Sequence, residues 1–161
     1  MNIIIYTDGA ASGNPGPGGY GALLMTPDKK HYKELFDGFR ATTNNRMELL
    51  AVIVALEKIK ATKANVVIYS DSKYVVDAVE KGWLFTWEKT GFNKKKNADL
   101  WRRFLQVYKL HKVKFIWVKG HNGNQYNERC DELAVAAYNL PNLKIDEGYE
   151  STQHNDDLFS D

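Results

Sequence analysis

Two short apolar runs each end on an acid: Ile3-Ile4-Ile5-Tyr6-Thr7-Asp8 and Val66-Val67-Ile68-Tyr69-Ser70-Asp71. Their β-branched and aromatic residues, with turn-formers beyond, predict strands buried on both faces. A helical stretch between them predicts a βαβ unit with the two strands as parallel neighbours. Asp8 and Asp71 would then share the carboxyl edge of one sheet, where open α/β sheets bind their ligands. Two acids on that edge suit a hard divalent cation such as Mg²⁺, which favours oxygen ligands. Either Asp alone could equally cap the helix or turn that follows it. For two on one edge, capping explains less.

The third acid is Glu48. Thr43-Asn44-Asn45 predicts a helix start with Thr43 or Asn44 as N-cap. Met47, Leu50, Ala51, Val54 and Ala55 form one apolar stripe, and Leu49, Val52, Ile53 and Leu56 nearly cover the rest. Such a helix belongs against the sheet. Glu48 is expected in its first turn, amid apolar surface, where a carboxylate is costly unless paired or bound to metal. Compensation of the helix dipole is the alternative. Asp131 falls off the apolar stripe of the last helix, Asn127–Tyr138, and taken alone reads as a surface acid. His121 sits in a polar loop, Lys119-Gly120-His121-Asn122-Gly123-Asn124. Taken alone it reads as a loop hydrogen-bonder.

Other elements must hold these groups in place. A Gly- and Pro-rich loop, Gly9–Gly19, leads to a second strand, Tyr20–Met25. A turn at Pro27-Asp28 leads to a third, His31–Phe39, and the three form an antiparallel meander. The loop is not a Walker loop, because no Gly-Lys-Ser/Thr follows. Ser72–Lys81 and Asn97–His111 read as helices and Val113–Val118 as the last strand. Residues 142–161 are acidic and polar without a convincing period, so a loosely ordered tail is expected after a domain spanning 1–141.

The 161 residues suffice for a proper core. No run of about 18 apolar residues is present to span a membrane, and no secretory signal is expected. Cys130 is the only cysteine, which excludes an intramolecular disulfide and points to a reducing cytoplasm. Charge is uneven. Residues 81–120 carry eleven Lys or Arg against Glu88 and Asp99, whereas residues 141–161 sum to −5. Within the basic stretch, Trp83-Leu84-Phe85-Thr86-Trp87 precedes Lys94-Lys95-Lys96. Trp83 and Trp87 could lie on sugars or bases while the lysines meet phosphates. The alternative is an amphipathic helix docking its tryptophans on the core, with a solvated charged face.

Taken together, the pieces resemble type 1 ribonuclease H. The matching segments are Tyr6-Thr7-Asp8-Gly9 with Gly13-Asn14-Pro15-Gly16-Pro17-Gly18-Gly19-Tyr20-Gly21-Ala22, then Thr42-Thr43-Asn44-Asn45-Arg46-Met47-Glu48-Leu49. Ser70-Asp71-Ser72-Lys73-Tyr74-Val75, Trp117-Val118-Lys119-Gly120-His121 and Asn127-Glu128-Arg129-Cys130-Asp131-Glu132-Leu133-Ala134 follow in family order. The resemblance implies an α/β fold, a five-stranded mixed sheet in order 3-2-1-4-5 flanked by helices. It also implies an endonuclease that hydrolyses the RNA strand of RNA–DNA hybrids with two Mg²⁺ ions, or Mn²⁺ as substitute, leaving 5′-phosphate and 3′-hydroxyl ends. Asp8, Glu48, Asp71 and Asp131 match the metal-binding carboxylates, Glu128 an acid just outside them, and His121 a loop histidine that assists proton transfer or product release. Asn14, Thr43 and Asn44 match polar contacts to the hybrid. The stretch from Trp83 through Lys96 matches the basic handle of bacterial members, in a shorter form. A cytoplasmic monomer is expected.

Three other classes stay open at this level. Another nuclease or integrase of the superfamily would share the acids but lack the Asn-Asn-Arg-Met-Glu-Leu and handle patterns. A non-catalytic hybrid-binding module would have lost an acid. A nucleotide-binding phosphotransferase would need a second domain.

Overall fold

The computed structural model describes residues 1–120 and 123–159. Strands β1 (Asn2–Ala11), β2 (Gly16–Met25) and β3 (Tyr32–Thr42) form the antiparallel meander, and β4 (Asn65–Ser70) and β5 (Lys112–Trp117) extend the sheet in parallel. The strand order is β3-β2-β1-β4-β5, as the resemblance implies. Parallel pairing of β1 and β4 runs from Asn2 opposite Asn65 to Thr7 opposite Ser70. Asp8 and Asp71 therefore leave the ladder at the same edge.

The pleat sorts β1 into two faces. Ile3 and Ile5 join the larger apolar cluster under α1 (Asn44–Lys58) and α4 (Ala98–Tyr108), whereas Ile4 and Tyr6 pack with Leu23, Met25, Cys130 and Leu133 under α5 (Gln125–Tyr138). Helix α1 is apolar almost all round because the sheet lies on one side of it and α4 on the other. Trp101 and Phe104 of α4 are the largest fully buried side chains. Helices α2 (Lys73–Glu80) and α3 (Trp83–Lys89) connect β4 to α4.

The first hairpin is tighter than its composition suggests. Strand pairing continues to Ala11 opposite Gly18, so residues 12–15 alone connect β1 to β2. Glycines usually weaken strands, but here they admit neighbours. A Cβ on Gly21 would lie 2.4 Å from the Cys130 carbonyl oxygen, so α5 rests directly on the strand.

The first part of the segment expected to form a loosely ordered tail lies against the sheet. Lys144 pairs with Phe39 beside β3, with main-chain bonds from Arg40 N to the Lys144 carbonyl and from Lys144 N to the Gly38 carbonyl. Helix α6 follows, spanning Glu147–Phe159. Two acids of this segment, Asp146 and Glu150, and its Lys144 have partners in the domain. Glu150 accepts from Arg40 at 2.8 Å, Lys144 pairs with Asp37, and Asp146 is buried against Arg46.

Candidate active site

Asp8 lies opposite Gly21 in the β1–β2 ladder, on a strand whose next residue nearly touches α1. A Cβ on Gly9 would meet Glu48 N and the Met47 carbonyl carbon at 2.4 Å, so only glycine permits this approach. The Gly9 N–H donates both to Asp8 Oδ1 (2.9 Å) and to Glu48 Oε1 (3.1 Å). One amide thus ties two acids from different elements.

The helix carrying Glu48 starts as expected. Thr43 is the N-cap and its side chain accepts from Arg46 N. Because α1 begins at Asn44, Glu48 lies beyond the first turn, which contains no acid. Compensation of the dipole, which fades within that turn, is therefore a poor account of it. Asp71 follows β4 directly, where Ser72 caps α2 by accepting from Val75 N.

Carboxylate oxygens of Asp8, Glu48 and Asp71 lie within 4.8 Å of one another. Asp8 and Glu48 are buried, and Glu48 Oε2 has no hydrogen-bond partner among the described residues. Such a group is costly unless a cation supplies the missing interaction. Burial, with Asp71 and Asp131 nearby, pushes the Asp8 carboxyl up to about 7. Burial, with Asp8 and Asp71 alongside, raises Glu48 well above the carboxylate range. Three hard oxygen donors, crowded so that the pKa values of Asp8 and Glu48 are raised, fit a divalent cation.

Asp131 joins them across an open cleft of about 440 Å³, also lined by Asn44, Asn45, Ser72, Lys73 and Tyr74. It is half-buried on α5, so its place off the apolar stripe aims it at the cleft rather than making it a bulk surface acid. Glu128 is exposed in the first turn of α5 and is not among the cleft-lining residues. His121 lies outside the described residues.

Asn14 and Asn44 brace the rim. Asn44 Oδ1 accepts from Ala11 N at 2.6 Å, and Asn44 N donates to Asn14 Oδ1 at 3.0 Å. Both amide oxygens are engaged by main chain, so their NH₂ ends are what they can present to a ligand. The Thr43 hydroxyl accepts in the cap and retains its proton to donate.

The two handle tryptophans separate. Trp87 is half-buried edge-on against Trp101, with ring centroids 5.9 Å apart, whereas Trp83 is 47% exposed. Leu84 and Phe92 anchor the stretch in the core. Lys94, Lys95 and Lys96 are all exposed, with the Lys95 ammonium 5.1 Å from the Trp87 ring centroid.

A partner of α1 went unread in the sequence. Arg46 is only 3% exposed, yet it bonds Asp99 at 2.7 and 2.9 Å and Asp146 at 2.8 and 2.9 Å. Thr42 also donates to Asp146. Burial would lower the Arg46 pKa, but the two acids more than reverse this. The signal was a charge in an apolar helix, the same signal that marked Glu48.

The RNase H family model matches residues 1–139. A ribonuclease H of Desulforamulus reducens is 59% identical over 149 residues, covering 89% of this chain and 92% of the relative. LC9-RNase H1, a type 1 RNase H with the type 2 active-site motif, superposes with TM-score 0.77 at 35% identity, over 85% of this chain and 72% of that one. LC11-RNase H1, solved in complex with RNA/DNA hybrid, gives TM-score 0.63 at 29% identity, over 84% and 96%. A shared sheet order, a carboxylate cluster at its edge and sequence identity along most of the chain agree, and the chain belongs to the RNase H family.

Proposed function

We propose that the protein is an endonuclease that hydrolyses the RNA strand of RNA–DNA hybrids. The observation that carries the reading is the buried Glu48 oxygen without a donor, held in a three-acid cluster at the carboxyl edge of the sheet. Asp8, Glu48, Asp71 and Asp131 would hold two Mg²⁺ ions, with Mn²⁺ as substitute. Bound there, the ions would lower the pKa of the attacking water and stabilise the leaving 3′ oxygen, giving 5′-phosphate and 3′-hydroxyl ends.

The chain's own groups bind and orient the hybrid. Asn14, Thr43 and Asn44 offer donors at the cleft rim, where a 2′-hydroxyl can distinguish RNA from DNA. The handle supplies charge to phosphates, with Trp83 available to the ligand and Trp87 chiefly holding the handle to Trp101. Glu128 helps from outside the cluster, and His121 moves a proton or speeds release. The crystallised hybrid complex of LC11-RNase H1 supports the substrate class. The protein would work as a cytoplasmic monomer; among the described residues no helix is long and apolar enough to cross a membrane.

The test incubates the protein with labelled RNA–DNA hybrid, RNA duplex, DNA duplex and single-stranded RNA, each with and without Mg²⁺. Cleavage confined to the hybrid's RNA strand and dependent on the ion is expected. Metal-independent cleavage, or equal cleavage of all four, rejects the reading.

His121→Ala is expected to lower turnover by roughly one to two orders of magnitude without abolishing it, because water replaces a proton-transfer group in part. Mg²⁺ affinity should hardly change. Loss of Mg²⁺ binding in a titration would instead make His121 a ligand.

Changing Lys94, Lys95 and Lys96 together to Ala should raise KM and leave kcat nearly unchanged, because exposed side chains away from the acids bind ground and transition states alike. The salt dependence of hybrid binding should flatten by up to about one unit of slope per lysine. Equal affinity and equal slope in wild type and variant would show these lysines to be only a solvated face.

A further inference from the structure

At the end of β5 stands an indole that the core does not use. Trp117 is 42% exposed and belongs to neither apolar cluster of the described residues. Its Nε1–H donates to the main-chain carbonyl of Asp71 at 3.2 Å. The β4–β5 ladder pairs its last residues at Ser70 and Trp117, and its final backbone bond runs from Val118 N to the Ser70 carbonyl. The indole therefore extends the ladder by one bond where strand pairing has ended. The Lys73 ammonium lies 4.7 Å from the ring centroid, so the residue two positions after Asp71 also holds the ring. From the other side, a Cβ on Gly120 would stand 2.9 Å from Asp71 Oδ2, so this segment also borders the carboxylate.

We propose that Trp117 is a positioning residue for Asp71. Its indole N–H fixes the Asp71–Ser72 peptide plane and thereby the direction of the Asp71 carboxylate. The peptide is then held at both of its polar groups, by the indole at the Asp71 carbonyl and by Ser70 Oγ, which accepts from Ser72 N at 3.1 Å. A half-exposed Trp gains less from burial than a core Trp, so packing alone is a weak reason for its place. Small errors in the placement of a reacting group cost large factors in rate, which gives such a bond its value. The inference rests on the reading of Asp71 as a cation ligand.

Trp117→Phe keeps an aromatic ring, smaller than the indole, and removes the donor. Mg²⁺ titration followed by amide NMR shifts is expected to show about tenfold weaker binding, the lower end of what losing a bond behind a ligand costs. kcat on hybrid should fall by a similar factor, KM should change little, and the thermal midpoint should stay close to wild type. Unchanged Mg²⁺ affinity and kcat would overturn the proposal. So would a rise in KM alone, which would make the indole a hybrid contact, or a lowered midpoint with Mg²⁺ affinity intact, which would make it a packing residue. Asp71→Asn is measured beside it. If that variant binds Mg²⁺ like wild type, the reading of Asp71 itself fails; if it loses Mg²⁺ while Trp117→Phe does not, the positioning role alone fails.

Discussion

Asp8→Asn is expected to reduce hybrid cleavage by about three orders of magnitude or more, because it removes a ligand charge from the centre that supplies most of the catalysis. The same substitution should stabilise the metal-free protein, and increasingly so as pH rises. In the folded state Asp8 is pushed up to about 7 and Glu48 is also raised, whereas unfolded carboxyls titrate near 4. Between these values the folded protein holds protons that the unfolded chain has released, so stability falls as pH rises. Asn has no charge to lose. The difference in thermal midpoint between variant and wild type should therefore be small near pH 4, grow toward pH 7 and level above it. Saturating Mg²⁺ should shrink or reverse it, since the ion stabilises the protein that binds it better. Near wild-type cleavage by Asp8→Asn in Mg²⁺ would remove Asp8 from the site. A midpoint difference independent of pH would show that the acids do not share a raised titration.

Arg46→Ala should produce the largest loss of stability among these substitutions. Arg46 and Asp146 are both buried, and Thr42 is the remaining side-chain donor to Asp146 once the guanidinium is gone. Removing one partner of a buried ion pair costs about 3–5 kcal/mol, because the other is left charged and desolvated. Asp146→Ala should cost less, since Arg46 retains Asp99, itself half exposed. The double variant should fall short of the sum of the singles, as expected for groups in one network. Denaturant unfolding of all three checks this. A loss for Arg46→Ala of ~1 kcal/mol or less would place the pair in the class of exposed ion pairs. The substitution also loosens α6 and the start of α1 together, so activity near the midpoint should fall with the fold.

Much of the site was legible along the chain because it is made of strand ends. An apolar run that stops at Asp8 or Asp71 declares both a buried strand and the edge where the acid emerges, and the βαβ connection makes the two edges the same. Glu48 was marked by its conflict with an apolar helix. The alternatives left open for each acid taken singly were matters of distance, and distance is not written in spacing. Asp131 is a surface acid by its local pattern and a candidate ligand only by the resemblance; α5, seated on Gly21, brings it to the cleft.

The handle divided for a similar reason. Trp83 and Trp87 are four residues apart in an aromatic and basic stretch, and nothing local distinguishes them. Trp101, on α4, takes one and leaves the other half exposed. Two acids of the expected tail, Asp146 and Glu150, have basic partners about a hundred residues earlier. Arg40 and Arg46 are distant in sequence from Glu150 and Asp146, so local composition does not show these pairs. By itself, then, the sequence determined the strands and helices through their local patterns, and the family and sheet order through the resemblance that the succession of motifs carries; the acids it offered as candidates. Tertiary structure alone decided which charges are buried together, which tryptophan faces solvent and what holds Asp71. Those outcomes depend on contacts between segments far apart in the chain, and they exist only once the core has brought those segments within bonding distance.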